Sequence, residues 1–367
     1  MKIPLIKPYI NQDIKDRVLE VLDSGYLTEG PVTKEFEKTF KNYIGCDHAI
    51  AFTSCTTGME TALRCLGIGP GDEVIVPDYT YPATTNVAPI VGATSVIVDI
   101  NRDTMLIDYD AIEEAITNKT KAIVPVSEFG NPLDYERLNR IKEKYGLYII
   151  EDAACSVGAE YKGVKVGNYA DISAFSLHPR KFITTGEGGM ITTNNKKWAD
   201  WMISYKHFGM GMHQSRLQTS FERIGTNYKM SNILAAIGLG QMKVINKLLT
   251  KRRELAANYI KLLENNECIA LPVITPEGKH AYQSFCIFVE NRDEVIKRMK
   301  EEGIETQIGT YALHLHKAFR TSELIKINSD LLNSKYAFYN SLTLPLYHDL
   351  SFKQQNYVVN KLFDVIL

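Results

Sequence analysis

Between residues 48 and 193, short apolar and β-branched runs alternate with stretches whose apolar residues recur at helical spacing. The runs show no strict polar alternation, which is typical of strands that are covered on both faces of a sheet. The predicted strands are HAIAFT (48–53), EVIVP (73–77), SVIV (95–98), KAIVPV (121–126), LYIIED (147–152), ISAFS (172–176) and GMITT (189–193). Predicted helices between several of them are 57–66, 110–117 and 134–145. This pattern predicts an α/β domain built on a largely parallel sheet.

The flanking segments predict a second domain. Helical spacing of apolar residues covers 12–24, and a long helical stretch covers 231–266. The remainder of the chain mixes strand and helix, predicted at 282–290 and 292–303. We therefore expect a large domain over residues 1–240, including the N-terminal helices, and a smaller α+β domain over residues 241–367, joined by the long helix.

The composition argues against several classes of function. The formal net charge is −1, so nothing favours nucleic acid or an anionic membrane as a partner. No apolar run approaches the roughly 20 residues that cross a bilayer, and the polar, proline-interrupted N-terminus predicts no signal peptide. The six cysteines are scattered, without CxxC pairs or neighbouring histidine clusters. This favours free thiols in a reducing cytoplasm over disulfides or a metal site.

Two charged residues lie where such a sheet would place a ligand. Asp152 ends the strand LYIIED, and open α/β sheets bind ligands at the carboxyl ends of their strands. Lys181 lies in a turn beside glycines that let a ligand approach the backbone closely. A lone turn lysine is usually solvated, and Asp152 alone fits a helix cap equally well. Glu151 is expected to face the opposite side in a structural role, and Tyr81 either stacks on a flat ring or fills the core.

Hydroxyl-bearing residues in two segments are candidates to bind a phosphate group. The segment FTSCTTGMETAL (52–63) is a strand followed by a polar turn that opens a helix, where free amide N–H groups attract anions. Ser54, Thr56 and Thr57 are the candidates in this turn, and Ser176 adds a hydroxyl at the end of another strand. Serine and threonine are also common as plain helix caps, which is the alternative interpretation.

Several motifs, in order along the chain, carry a resemblance to a known family. They are KPYI…VLDSGYLTEGPVTKEFEKTF (7–40), LGIGPGDEVIVPDYTYPATTN (66–86), IIEDAACSVGA (149–159), SLHPRKFITTGEGGMITTN (176–194), IGTNYKMSNILAAIGLGQM (224–242) and TLPLYHDLS (343–351). The chain resembles the sugar aminotransferases of the DegT/DnrJ/EryC1/StrS group, which use pyridoxal 5'-phosphate (PLP). The resemblance implies the fold-type I architecture: a large α/β domain with a mixed, mostly parallel sheet flanked by helices, and a smaller α+β C-terminal domain.

The resemblance assigns roles to residues of the cofactor site. It implies that Lys181 carries PLP as a Schiff base and that Asp152 pairs with the pyridine nitrogen. Tyr81 falls on the position of the ring-stacking aromatic residue. Cys155 stands where relatives carry Gln or His towards the ring hydroxyl, and a thiol is a poorer hydrogen-bonding partner.

The same resemblance places phosphate contacts on two subunits. Thr56, Thr57 and Ser176 fall on phosphate-binding positions. Asn227 matches an asparagine that reaches the phosphate of the neighbouring subunit in relatives. A homodimer with a shared active site is therefore implied.

The resemblance also implies a two-step transamination. An amino acid, expected to be L-glutamate, gives up its amino group in the first half-reaction, and a keto sugar nucleotide of 4-keto-6-deoxy type receives it in the second, a ping-pong scheme. Lysine at 181, where some relatives carry histidine, favours transamination over dehydration. The alternatives are a transaminase of a small phosphorylated keto compound and a PLP-binding protein without turnover. An NAD-dependent oxidoreductase is disfavoured because no GxGxxG follows the first strand.

Four segments depart from the usual form of the family. Cys155 is one, and Lys229 replaces the arginine of GxNYR, which loses a planar two-pronged donor. Ser127 and Glu128 stand where His and Leu are usual, and Thr310 precedes a tyrosine in the small-domain segment. These changes either carry no function or mark an unusual acceptor. Candidates for substrate contacts are His178, His314, Tyr311 and Lys229. No spacing among the histidines predicts a metal site.

Overall fold

The computed structural model of the protein describes residues 2–211 and 219–366. The helices are α1 (Gln12–Ser24), α2 (Pro31–Ile44), α3 (Cys55–Cys65), α4 (Pro82–Ile90), α5 (Tyr109–Ala115), α6 (Tyr135–Tyr145), α7 (Lys196–Lys206), α8 (Asn232–Met242), α9 (Ile245–Leu263), α10 (Arg292–Glu301), α11 (Lys317–Thr321), α12 (Leu332–Asn340) and α13 (Phe352–Ile366). The strands are β1 (His48–Phe52), β2 (Glu73–Pro77), β3 (Tyr79–Thr80), β4 (Thr94–Val98), β5 (Thr120–Ile123), β6 (Tyr148–Asp152), β7 (Glu160–Tyr161), β8 (Val164–Lys165), β9 (Ile172–Ser176), β10 (Gly189–Thr193), β11 (Ile269–Ala270), β12 (Gly278–Lys279), β13 (Phe285–Val289), β14 (Gln307–Ile308), β15 (Tyr311–Ala312), β16 (Ile325–Ile327) and β17 (Ser341–Leu344).

The large sheet confirms the predicted α/β class. Its eight strands run in the order β1-β10-β9-β6-β5-β2-β4-β16. All strand pairs from β9 to β16 are parallel, and β10 runs antiparallel to both of its neighbours. The parallel strands end at one edge of the sheet, so the residues that follow β1, β2, β5, β6 and β9 gather there.

The long helical stretch predicted at 231–266 is two helices, α8 and α9, bent by 62° at the break. The two halves pack against different partners. The apolar α8 lies against α1 and α2, where glycines permit close packing: a Cβ at Gly238 would lie 2.5 Å from the Phe36 ring and one at Gly240 would lie 2.4 Å from Ile14. Helix α9 packs against α13 instead. Over the described residues, no single helix has the length and apolar character to cross a bilayer, and α8 and α9 have them only when joined.

The C-terminal part forms a second core around a four-stranded sheet of order β11-β13-β17-β14. Residues near the N-terminus join it, since Ile3 bridges Ile304 and is fully buried in this core. Conversely, β16 lies beyond residue 240 but pairs with β4 in the large sheet. The domain boundary at residue 240 stays a prediction, and the chain crosses between the two cores on either side of it.

Gly189 at the start of β10 allows α3 to begin directly against the sheet. A Cβ at this position would lie 2.4 Å from the carbonyl carbon of Ser54 and 2.5 Å from the amide nitrogen of Cys55, both backbone atoms. We expect Gly189→Ala to lower the free energy of unfolding by about 1–3 kcal/mol, because the backbone must shift to admit a methyl group. Urea unfolding measures this. Gly69→Ala is the control, since a Cβ there meets only the Val91 carbonyl oxygen at an ordinary 3.6 Å, and an equal loss in both variants would contradict the prediction.

Candidate active site

A cavity of about 460 Å³ lies at the edge of the large sheet where the parallel strands end. Its wall includes the segments after β1, β5, β6 and β9, and it is closed on the other side by residues around β14 and β17 of the small domain. The lining residues that were predicted from the sequence are Ser54, Thr56, Tyr81, Glu128, Asp152, Cys155, Ser176, His178, Lys181 and Thr310. Most of the predicted cofactor residues therefore share one cavity.

Asp152 is the most deeply buried charged group of this wall, with 4% of its surface exposed. Its carboxylate accepts a hydrogen bond from Thr84 Oγ1 at 2.7 Å and one from the Ala154 amide at 3.1 Å. Burial raises the pKa of Asp152 above its usual value, while these two donors and the nearby Lys181 oppose the rise. Because both hydrogen-bond donors are neutral, the carboxylate is suited to pair with a cation inside the cavity.

Lys181 reaches the same space from the turn after β9. Its backbone amide donates to the His178 carbonyl at 2.8 Å, and its Nζ donates to Cys155 Sγ at 3.1 Å. Burial alone would lower the pKa of Lys181, but the surrounding acidic groups Cys155, Glu128 and Asp152 raise the pKa above its usual value. Burial also raises the pKa of the Cys155 thiol to about 11, so at neutral pH the thiol is protonated.

The turn that opens α3 divides the predicted phosphate-binding residues. Ser54 is the N-cap, and its side chain accepts from the Thr57 amide while Thr57 Oγ1 accepts from the Ser54 amide, both at 3.1 Å. Thr57 is thus occupied by the capping box and does not line the cavity. Thr56 and Ser176 do line it, and Ser176 Oγ has only a long contact of 3.4 Å with the His178 amide.

Tyr81 and Asn227 occupy exposed positions. Tyr81 is 66% exposed at the cavity, and its ring centroid lies 6.3 Å from that of Tyr311. Asn227 is exposed and bridges His207 outside the cavity. Lys229 also lies outside it, with its ammonium 4.6 Å from the ring centroid of Phe208.

The predicted substrate residues separate into two groups. His178 lines the cavity, where its Nδ1 accepts from the Arg180 amide at 3.2 Å. His314 does not line it: its Nδ1 lies 2.6 Å from Asp78 Oδ2, and its backbone amide donates to Asp78 Oδ1 at 2.8 Å. These contacts join the segment after β15 to the segment after β2. Tyr311 borders the cavity only through its ring contact with Tyr81.

Ser127 and Glu128, two of the departures from the family pattern, face opposite sides of their turn. Ser127 hydrogen bonds to the buried Glu151, which also accepts from Tyr135 at 2.6 Å and from Ser173 at 3.1 Å. Glu151 therefore has the predicted structural role. Glu128 lines the cavity instead. Burial raises the pKa of each of these two carboxyl groups to about 7.

The sequence did not single out three residues of the site. Thr84 holds Asp152, and Gln283 and Arg180 line the cavity, where the Gln283 amide donates to the Arg180 carbonyl at 2.7 Å. Thr84 lies in the segment PDYTYPATTN (77–86), four residues after Thr80, and the hydroxyl groups of these two threonines share a 2.9 Å hydrogen bond. Nothing in the sequence around Gln283 signalled a site, because it comes from the other domain.

The donor set fits PLP. That cofactor carries an aldehyde that combines with an amine, a basic ring nitrogen and a phosphate group. Lys181 offers a buried amine and Asp152 a buried carboxylate with only neutral hydrogen-bond donors. The N-terminus of α3 presents Ser54 and Thr56 to the same cavity, with the partial positive charge of an 11-residue helix behind them.

Comparisons with known proteins agree with this chemistry. Residues 8–363 match the model of the DegT/DnrJ/EryC1/StrS aminotransferase family. The chain is 36% identical over 386 residues to the UDP-4-amino-4-deoxy-L-arabinose–oxoglutarate aminotransferase of Shewanella sediminis, covering 99% of this chain and 98% of that protein. It is 32% identical over 378 residues to the spore coat polysaccharide biosynthesis protein SpsC of Bacillus subtilis, covering 99% and 97%. The PLP-form of Spr1654 from Streptococcus pneumoniae superposes with a TM-score of 0.93 at 30% identity, covering 100% of this chain and 98% of that one.

Fold, lysine and buried carboxylate together define a PLP-dependent aminotransferase of fold type I. Within that class, the chain belongs to the DegT/DnrJ/EryC1/StrS aminotransferase family. The predicted family, fold, enzyme class and cofactor are confirmed. The roles of the individual site residues stay predictions.

Glu151, the structural neighbour of Asp152, makes the stability of the fold depend on pH. Because folding raises the pKa of this carboxyl from 4.5 to about 7, its contribution to stability is present below pH 4.5 and is lost as the pH rises through 7. The loss is about 3 kcal/mol at 1.36 kcal/mol per pKa unit. We expect Glu151→Gln, which does not titrate, to lose less stability than the wild type between pH 5 and pH 8. Urea unfolding at both pH values measures this, with the exposed Glu267→Gln as the control; a pH-independent difference between wild type and Glu151→Gln would contradict it.

Proposed function

We propose that this aminotransferase moves an amino group from L-glutamate to a keto sugar nucleotide of 4-keto-6-deoxy type, in two half-reactions, for the synthesis of amino sugars in surface glycans. The observation that carries the proposal is the presence of Lys181 and Asp152 in one cavity whose other wall comes from the small domain. The names of two relatives support the substrate class, since one acts on a UDP-linked amino sugar and the other serves polysaccharide biosynthesis.

PLP, when bound, supplies an electron-withdrawing ring that stabilises negative charge on the carbon attached to the transferred nitrogen. Asp152 would hold the ring nitrogen in its protonated form. Thr56, Ser176 and the α3 N-terminus would hold the phosphate, and Tyr81 would cover the ring. Cys155 would lie beside the ring hydroxyl. Its protonated thiol is neutral, so other groups would have to compensate a negative charge on that hydroxyl oxygen.

Lys181 has a second role once the amino donor has bound. Its Nζ would take the proton from the α-carbon of the donor and release it one atom further along the transferred C–N unit, and the reverse transfer would serve the acceptor. The negative charge of Asp152 favours the protonated amine that this return step needs. His178, His314, Tyr311 and Lys229 stay proposals for substrate contacts.

We also propose that the enzyme works as a homodimer in the cytoplasm. Asn227 lies in an exposed segment that carries two large apolar side chains, Phe221 at 64% and Ile224 at 95% exposure. Exposed apolar side chains grouped in this way favour burial against another chain. A second copy that covers this segment would bring Asn227 to the phosphate site of its partner. The six free thiols suit a reducing compartment.

Lys181→Ala should lose the Schiff-base absorbance of the holoenzyme and the conversion of its cofactor to the amine form by glutamate, because no other lysine lines the described cavity. Asp152→Asn should keep the fold and some colour but lose roughly 10²–10³-fold in turnover, since a neutral amide does not hold the ring proton. Absorbance spectra and single-turnover rates with glutamate measure both. Persistence of colour and of the glutamate response in Lys181→Ala would disprove the role of the lysine.

The shared site predicts that two inactive variants restore each other. Subunits of Lys181→Ala and Asn227→Ala, each nearly inactive alone, should recover activity when unfolded together and refolded as mixed dimers. In a mixed dimer, the site with an intact Lys181 receives an intact Asn227 from the other chain. No recovery, although mixed dimers are isolated by two affinity tags, would mean that Asn227 serves its own subunit.

To test the acceptor, glutamate first converts the cofactor to its amine form. The enzyme is then incubated with UDP-4-keto-6-deoxyglucose and, separately, with small keto phosphates. Return of the yellow absorbance with the sugar nucleotide supports the proposal. Return only with a keto phosphate would favour the alternative acceptor, a small phosphorylated keto compound. If glutamate converts the cofactor to its amine form but the yellow absorbance returns with neither acceptor, the sugar-nucleotide proposal is contradicted.

A further inference from the structure

The cavity contains a carboxyl group that is almost without partners. Glu128 is 7% exposed and lines the cavity. Its Oε1 accepts one long hydrogen bond, from the Phe129 amide at 3.3 Å. Among residues 2–211 and 219–366, its Oε2 has no hydrogen-bond partner and Glu128 takes part in no ion pair. The carboxyl group therefore has acceptor capacity free for a ligand in the cavity.

The backbone around Glu128 is held from both domains. The next residue, Phe129, has the left-handed φ of 54°, and Gly130 follows with a φ of 98°. The Gly130 carbonyl accepts from the Ala281 amide at 2.8 Å, and a Cβ at Gly130 would lie 3.0 Å from the Cys155 carbonyl oxygen. This tight turn fixes the direction of the Glu128 side chain, and the strain at Phe129 is retained where the chain enters the cavity.

Lys181 lies within electrostatic reach of Glu128 but is not its partner. The Lys181 ammonium donates to Cys155 Sγ, and no ion pair links it to Glu128. Burial raises the pKa of Glu128 to about 7, although the charge of Lys181 lowers it. In either protonation state, the carboxyl group can form a hydrogen bond with a group bound between it and the amine.

We propose that Glu128 recognises the keto acceptor by a hydrogen bond with the hydroxyl group on the carbon next to the reacting carbonyl, an inference that rests on the proposed function. The reacting carbon must come close to Lys181 Nζ, and Glu128 lines the same cavity within electrostatic reach of that amine, so it can contact a group on a neighbouring carbon. In a 4-keto-6-deoxy sugar, one of those carbons carries a hydroxyl and the other a methyl group. Glu128 therefore distinguishes the two sides of the sugar ring.

Charge determines which ligand groups Glu128 can bind. The carboxylates of L-glutamate and the phosphate groups of PLP and of the nucleotide are negative, so an ionised Glu128 does not bind these groups. Sugar hydroxyls are neutral donors and acceptors that a carboxyl group binds well. A leucine at this position, which the family resemblance gives as usual, would form no such hydrogen bond.

The experiment compares two acceptors in the second half-reaction. Glutamate first converts the cofactor to its amine form in the wild type and in the variants Glu128→Gln and Glu128→Leu. The absorbance is then followed with UDP-4-keto-6-deoxyglucose and with its 3-deoxy counterpart. Glu128→Leu should lose about 10- to 100-fold in kcat/KM with the hydroxylated sugar, the effect of removing a hydrogen bond to a charged group. With the 3-deoxy sugar, its loss should stay below about threefold. Glu128→Gln, which still accepts a hydrogen bond, should lie between the two.

The outcomes separate this proposal from the proposed function. An equal loss with both sugars would overturn the recognition of the hydroxyl group. So would a comparable loss in the rate of the glutamate half-reaction, because Glu128 would then act on the cofactor or on Lys181. If the wild type converts neither sugar although glutamate converts its cofactor to the amine form, the proposed acceptor is wrong and this inference is wrong with it. A loss confined to the hydroxylated sugar, with the glutamate half-reaction intact, supports the inference and shows that the variant folds.

Discussion

The buried carboxylate of Asp152 is the constraint on which the rest of the site depends. A carboxylate with 4% exposure is stable only when hydrogen bonds and a nearby cation compensate the lost hydration. The large sheet supplies the position at the end of β6, α4 supplies the hydroxyl of Thr84, and the turn after β9 brings Lys181. When PLP is bound, its ring nitrogen adds the cation that the two neutral donors do not provide. The same burial that makes the carboxylate costly makes its charge effective on the ring.

The alternation of side chains along a strand and around a turn separates the acid that is buried in the fold from the acids that face the cavity. Glu151 and Asp152 are adjacent at the end of β6, so their side chains point to opposite faces. Glu151 meets Ser127, Tyr135 and Ser173 and is satisfied, whereas Asp152 faces the cavity. Ser127 and Glu128 repeat this division one strand away. The cavity wall therefore receives Asp152 from the end of β6 and Glu128 from the turn after the neighbouring strand β5, whereas Glu151 and Ser127 are buried on the other side.

The sequence predicted those features that depend on one strand or one turn. Strand ends locate Asp152, and the motif around Lys181 locates the amine, because parallel strands bring their carboxyl ends together whatever the details of packing. It did not predict contacts between distant elements. The capping box of Thr57 and the contact between His314 and Asp78 depend on precise side-chain directions. The break between α8 and α9 also escaped prediction, since helical spacing continues through it while the packing partners change.

Electrostatics give the cavity a polarity that bears on the acceptor. Asp152 and Glu128 place two acidic groups around Lys181, whereas Arg180 is exposed and lines the same cavity. An acceptor with its negative charge far from the reacting carbon, such as a sugar joined to a nucleotide through phosphates, can place the neutral ring near Glu128 and the phosphates towards Arg180. A small keto phosphate keeps its charge within a few bonds of the carbonyl and would bring that charge close to both acids. On this ground Glu128 supports the proposed sugar-nucleotide acceptor over a small keto phosphate.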